Sequence, residues 1–123
     1  MFELDIVREF SAAHHLEGYP GNCAHVHGHN WTVQIFIRAE KLDEVGIAMD
    51  FKVLKKELDE VLATLDHNDL NTLPEFQKKN PTSENLARYI YTFLAGRLND
   101  GNVKIHKVRI CESPTSGASY FEE

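Results

Sequence analysis

Five of the seven histidines fall within sixteen positions: His14, His15, His25, His27 and His29. Imidazoles at that density suit metal binding or proton transfer near neutral pH. His27-Gly28-His29 opens an alternating run, Trp31, Val33, Ile35, Ile37 and Ala39, that reads as a strand. Residues two apart on a strand share a face, so both imidazoles aim the same way. Gly28 between them lets another group approach the backbone closely. His14 is the natural third donor, since it shares parity with Phe10 and Ala12 of an earlier strand that can lie beside this one. Three histidines with an open fourth position would make a catalytic rather than a structural zinc site, able to polarise a bound hydroxyl or carbonyl; polar surface residues of an exposed strand are the alternative for His27 and His29. By parity His15 and His25 face the other way and read as loop or surface residues. His106 alternates with lysines and reads as solvent-facing.

Cys23 stands four residues before His27 in a glycine-rich loop. Beside a cation its thiol would be acidified and act as base or nucleophile. Two alternatives stay open: an inert small hydrophobe, or a fourth zinc ligand that closes the site. Asp66-His67 is a second pair, in which a carboxylate could orient an imidazole for proton transfer if the backbone turns between them; a polar helix end is the plainer reading. Glu112 ends a late strand. A buried carboxylate there would need donors, and a heterocycle bearing an NH and an amino group would supply two; an ordinary strand-end glutamate is the alternative.

The elements that must carry these residues follow from periodicity. Phe2, Leu4, Ile6, Phe10 and Ala12 alternate with Glu3, Asp5, Val7, Glu9 and Ser11, a strand with one buried face interrupted at Arg8. The second strand spans His27 to Ala39. A connection over 41–45 leads to a short extended piece at 46–49. Asp50 caps a helix over 51–64, with Leu54, Leu58, Val61, Leu62 and Leu65 at helical spacing. Residues 65–74 are irregular. Thr82 caps a second helix over 83–97, with Glu84 favourable to its dipole. Val103 to Glu112 and Ala118 to Phe121 are strands around a turn at 113–117. The order predicts one α+β domain over residues 1–123, a four-stranded antiparallel sheet with two helices on one face. Its end strands leave pairing edges that an oligomer would close.

The whole-chain numbers exclude several classes. The 123 residues carry 13 Lys+Arg against 19 Asp+Glu, a net charge of −6 with histidine neutral, and no basic run. Neither nucleic acid nor an anionic membrane is a suitable partner for such a chain. Two cysteines make no disulfide framework. Charges at Glu3, Asp5, Arg8 and Glu9 leave no signal-peptide core, and no apolar run reaches membrane-span length. A cytoplasmic protein with reduced thiols is expected. Phosphate-binding glycine loops, GxSxG, HExxH and CxxC are absent from the sequence.

Five segments in order resemble the 6-pyruvoyl-tetrahydropterin synthase family, which includes the bacterial 6-carboxytetrahydropterin synthases of queuosine biosynthesis. They are Phe10-Ser-Ala-Ala-His14-His15-Leu16, Cys23-Ala-His-Val-His27-Gly28-His29, Leu65-Asp66-His67-Asn68-Asp69-Leu70, Pro81-Thr82-Ser83-Glu84-Asn85-Leu86-Ala87 and Cys111-Glu112-Ser113. The resemblance covers nearly the whole chain. It implies a tunnelling fold (T-fold), in which sheets from three subunits form a barrel and two trimers stack into a homohexamer. It implies Zn2+ held by His14, His27 and His29, Cys23 as general base, and Asp66 and His67 as proton-transfer partners from a neighbouring subunit. Glu112 would anchor the pterin ring, with Thr82 and Ser83 lining its pocket. The implied substrate is 7,8-dihydroneopterin triphosphate. The three-residue gap between Cys23 and the HGH unit is similar to the bacterial carboxy branch. That branch releases acetaldehyde and triphosphate to leave 6-carboxy-5,6,7,8-tetrahydropterin; the pyruvoyl branch, the alternative, keeps the side chain.

Overall fold

The computed structural model describes residues 1–19, 21 and 24–122. Strand β1 (Phe2–His14) pairs antiparallel with β2 (His27–Ala39). After helix α1 (Phe51–Ala63) and helix α2 (Ser83–Leu98), β3 (Val103–Ser113) pairs with β2 and β4 (Ser116–Tyr120) with β3. The four strands form one antiparallel sheet, as expected, and its order is β1-β2-β3-β4. The apolar parity of the first three strands is buried: Ile6, Phe10 and Ala12 on β1, Trp31 to Ala39 on β2, Val103, Ile105, Val108 and Ile110 on β3. These pack against Leu54, Leu58, Val61 and Leu62 of α1 and Leu86, Ile90 and Leu94 of α2 in one core on one face of the sheet.

Both helix starts are capped as expected. The Asp50 carboxylate accepts from the Lys52 N–H at 2.8 Å, and the Thr82 hydroxyl oxygen accepts from the Asn85 N–H at 3.1 Å. Arg8, the interruption in the first strand's pattern, lies on the core face at its margin and reaches Asp59 of α1 at 3.0 Å. Two local expectations are corrected. Residues 46–49 form no extended piece. The Asp43 carboxylate takes the N–H groups of Val45 and Ile47 at 2.9 and 3.0 Å, and Gly46 turns the chain at φ +86°. His106 does not simply face solvent: it is half-buried at a β-bulge. Phe36 pairs with Lys107 while Ile37 pairs with Ile105, so one extra residue sits on β3. Burial, with the Arg38 charge, pushes the His106 imidazole below its ordinary value.

The bulge has a consequence at the far end of β3. Buried positions run Val103, Ile105, then Val108, Ile110. Without the extra residue the core parity would continue through Lys107 and Arg109 to Cys111. With it, Glu112 takes the core-facing parity and Cys111 turns to the open face, where Arg109 Nη1 lies 2.8 Å from its sulfur.

Core truncation separates the two faces. Ile35 is wholly buried and Val7 half exposed. By urea unfolding, Ile35→Ala is expected to cost about 2–5 kcal/mol and Val7→Ala roughly 0.5 kcal/mol or less. Equal losses would contradict the assignment of faces.

Candidate metal centre and active site

The antiparallel register sets His14 opposite His27 and Ala12 opposite His29. All three imidazoles therefore lie on the core face at the end of the β1–β2 pair, beyond Trp31, whose ring stands edge-on to His14 and His29 at 5.0 and 5.2 Å. One nitrogen from each histidine lies within 4.8 Å of the others. His14 is buried; His27 and His29 are partly so.

The outer nitrogens of two rings are tied down. His14 Nδ1–H donates to the Pro81 carbonyl at 2.8 Å, and His27 Nδ1–H donates to the His25 carbonyl at 2.7 Å. Neutral rings held this way carry bare lone pairs at Nε2. Those two Nε2 atoms face each other at 3.1 Å. Two acceptors at that distance repel unless a cation lies between them. A proton is a poor choice, because burial, together with the His27 and His29 rings, outweighs the Pro81 bond and holds His14 below its ordinary pKa. His29 is also lowered, by burial first. Its Nε2 is buried without a hydrogen-bond partner. Donors around a tetrahedral zinc, at about 2.0–2.1 Å from the ion, lie roughly 3.4 Å apart. The orphaned nitrogen, the fixed tautomers and the all-imidazole donor set fit a divalent metal.

Glu112 borders this cluster. One carboxylate oxygen is 3.7 Å from His29 Nε2, and the other accepts from the buried Ser83 hydroxyl at 3.2 Å. The group is not wholly enclosed: 37% of its side chain is exposed, enough to meet a ligand. Ser83 stands in the first turn of α2, whose N-terminal dipole suits a carboxylate. Thr82 is adjacent, with its oxygen engaged in the helix cap.

Asp66 and His67 pair as the turn requirement demanded. His67 adopts φ +58°, rare for a non-glycine residue, and its Nδ1 lies 3.0 Å from Asp66 Oδ2. The other Asp66 oxygen accepts the Ser11 N–H at 2.9 Å, and the His67 N–H donates to the Ser11 carbonyl. The imidazole itself is 82% exposed. It shares a surface cavity of about 480 Å³ with His29, Asn30 and Gly28, and a Cβ on Gly28 would meet only open space. Cys23 lies outside the described residues. His15 lies in the loop after β1, as expected, and is half-buried; His25 is exposed and contributes its carbonyl.

Sequence reasoning did not single out the Pro81 or His25 carbonyls, which fix the tautomers of His14 and His27. A carbonyl leaves no mark on residue type. Pro81 at a helix start was the only trace.

The sequence model of the family described as 6-pyruvoyl tetrahydropterin synthase matches residues 3–123. This chain belongs to the 6-pyruvoyl tetrahydropterin synthase family. A 6-carboxy-5,6,7,8-tetrahydropterin synthase from Synechocystis sp. is 36% identical over 124 residues, covering 94% of this chain and 92% of that protein. One of the same name from Bacillus subtilis is 34% identical over 126 residues, covering 97% and 84%. The structure of Caenorhabditis elegans 6-pyruvoyl tetrahydropterin synthase superposes with a TM-score of 0.87 at 31% identity, covering 99% of this chain and 96% of that one. Both product names thus occur among relatives within the 6-pyruvoyl tetrahydropterin synthase family, and the fold is the family's T-fold subunit.

The Asp66 carboxyl lies below the usual carboxylate range, chiefly through the Ser11 N–H and then through His67. A depressed carboxyl stabilises the folded state above its unfolded value, and that contribution is lost as pH falls through the folded value. The stability gap between wild type and Asp66→Asn, from urea unfolding across pH, is expected to be widest near neutrality and to close below about pH 4. A gap unchanged down to pH 2 would show that ionisation of Asp66 is not what the Ser11 contact uses.

Proposed function

We propose that the chain is a zinc-dependent 6-carboxy-5,6,7,8-tetrahydropterin synthase, a lyase acting on 7,8-dihydroneopterin triphosphate. The reaction takes up water and releases triphosphate and acetaldehyde. The observation that carries it is the three-imidazole cluster with a half-open carboxylate beside it, in a chain whose bacterial relatives bear that name. His14, His27 and His29 would hold the ion, which when bound supplies a Lewis acid for the substrate's side-chain hydroxyls.

The chain's own groups do the rest. Glu112, steadied at one oxygen by Ser83, offers the other to the amino and ring N–H of the pterin; Thr82 stands at the same helix start. Cys23 Sγ, as thiolate, takes the proton from the carbon next to the hydroxyl. Asp66 holds His67 with Nδ1 protonated, so Nε2 is free to exchange a proton with that thiol or with the ring. With its imidazole turned to solvent on its own chain, His67 is suited to serve a site completed by another subunit. The end strands support a homohexamer built as a dimer of trimers, since the outer edges of β4 and of β1 before Ser11 can pair with further strands. Among the described residues no helix is long and apolar enough to cross a membrane; a cytoplasmic setting with reduced thiols completes this reading.

A second reading, 6-pyruvoyl-tetrahydropterin synthase, is favoured by the likeness to the nematode structure. Mass spectrometry of the products separates them. Zinc-loaded protein given 7,8-dihydroneopterin triphosphate is expected to yield 6-carboxytetrahydropterin and acetaldehyde. A pyruvoyl product without acetaldehyde selects the second reading, and unchanged substrate with zinc bound sinks both. Cys23→Ala is expected to retain zinc and lose turnover by at least about 100-fold. Loss of zinc from that variant would instead make Cys23 a fourth ligand. Mixed oligomers of Cys23→Ala and His67→Ala subunits are expected to recover activity. No recovery, with mixing verified, would put both groups in one chain's site.

A further inference from the structure

Past its pairing with β2, the backbone of β1 continues beyond His14 as a segment whose outer edge is met by the 66–80 connection. Every second residue from Ser11 to Glu17 presents its polar backbone to that side. Ser11 is held by Asp66 and His67, and the Ala13 N–H donates to the Asn68 carbonyl at 3.0 Å. Beyond that point the partners become side-chain amides. Asn71 accepts from the His15 N–H at 2.9 Å and donates to the His15 carbonyl at 3.0 Å. Asn80 accepts from the Glu17 N–H at 2.9 Å and donates to the Glu17 carbonyl at 2.9 Å. A carboxamide offers an acceptor and a donor side by side. Each asparagine therefore replaces one rung of a β-ladder.

Neither amide is loosely held. The Asn71 N–H is taken by Asp69 at 3.1 Å, and its carbonyl by the Gln77 amide at 3.1 Å. The Asn80 carbonyl accepts from Asn85 at 2.8 Å. Asn80 also directly precedes Pro81, whose carbonyl fixes the His14 ring. One short stretch thus grips both the ligand's imidazole and the backbone three residues beyond it.

We propose that Asn71 and Asn80 are positioning residues of the metal centre. They hold the backbone at His15 and Glu17, directly after β1, which fixes His14 against the Pro81 carbonyl. They also tie the 66–71 stretch, with Asp66 and His67, to the strand that carries His14. This inference rests on the metal reading above. It acts through the ligand's orientation, so its effect appears in metal binding itself.

The variants Asn71→Asp and Asn80→Asp keep the acceptor and replace the donor by an oxygen facing a carbonyl. Full-length protein and both variants are loaded with Zn(II) and with Co(II). Zinc affinity is read by competition with a chromogenic chelator, and ligand geometry by the visible absorption of the cobalt form. Expected is a zinc affinity lower by tenfold or more and displaced cobalt bands, in variants whose circular dichroism matches wild type. Zinc affinity within twofold of wild type and an unchanged cobalt spectrum, in either folded variant, would overturn the proposal. Should the aspartates not fold, Asn71→Ala and Asn80→Ala carry the same readouts. Failure of all four to fold would assign the amides to stability alone and overturn it too. Wild type that takes up neither ion overturns the metal reading, and this inference with it.

Discussion

Two lone pairs pointing at each other across 3.1 Å, at the end of an otherwise apolar core, are the constraint on which the rest depends. His14 and His27 cannot turn away, because each spends its other nitrogen on a carbonyl. Nor does protonation resolve the contact cheaply, since burial works against a charged His14. The fold therefore gathers three imidazoles where a divalent cation would fit. A divalent cation would relieve the repulsion between the nitrogens and satisfy the orphaned His29 Nε2 together. Metal binding there would be coupled to the packing of this sheet end for that reason.

The sheet brings the site together by register alone. A one-residue slip between β1 and β2 would send His14 to the open face and leave His27 and His29 behind. The long paired stretch and the stacked Phe10 and Trp31 rings, 5.9 Å apart, guard against it. On β3 the guard is the bulge. It costs a ladder rung at His106 and in return gives Glu112 the histidines' side of the sheet. Cys111, which the unbroken alternation would place there, turns outward instead.

Much of this was legible in residue order. The four strands, both helices and both helix caps follow from periodicity and from Asp50 and Thr82. The convergence of His14, His27 and His29 follows from parity once β1 and β2 are neighbours. The 46–49 segment was misread because Asp43 satisfies two backbone N–H groups there, an alternative that a strand pattern does not reveal. His106 was misread because a bulge makes parity fail locally. Its trace was present in the spacing Val103, Ile105, Val108, Ile110, where an interval of three interrupts a run of two. The carbonyl and amide contacts were hidden for a different reason: they depend on where an irregular connection passes, which no periodic pattern encodes.

That connection ends at three consecutive residues with separate tasks. The Pro81 carbonyl fixes a metal-ligand candidate, the Thr82 hydroxyl closes the first turn of α2, and the Ser83 hydroxyl holds Glu112. Their order matters. Pro81 has no N–H to satisfy before the helix begins, so its position costs the backbone nothing. Thr82 must spend its oxygen on the cap, which leaves Ser83, one residue on and buried, as the hydroxyl able to reach a carboxylate. The helix start is thereby locked to both β1 and β3, the outer members of a three-strand unit whose middle strand supplies His27 and His29. Rotating α2 by one residue would break the grip on His14 and on Glu112 together. The histidine cluster and the carboxylate beside it are thus one rigid unit.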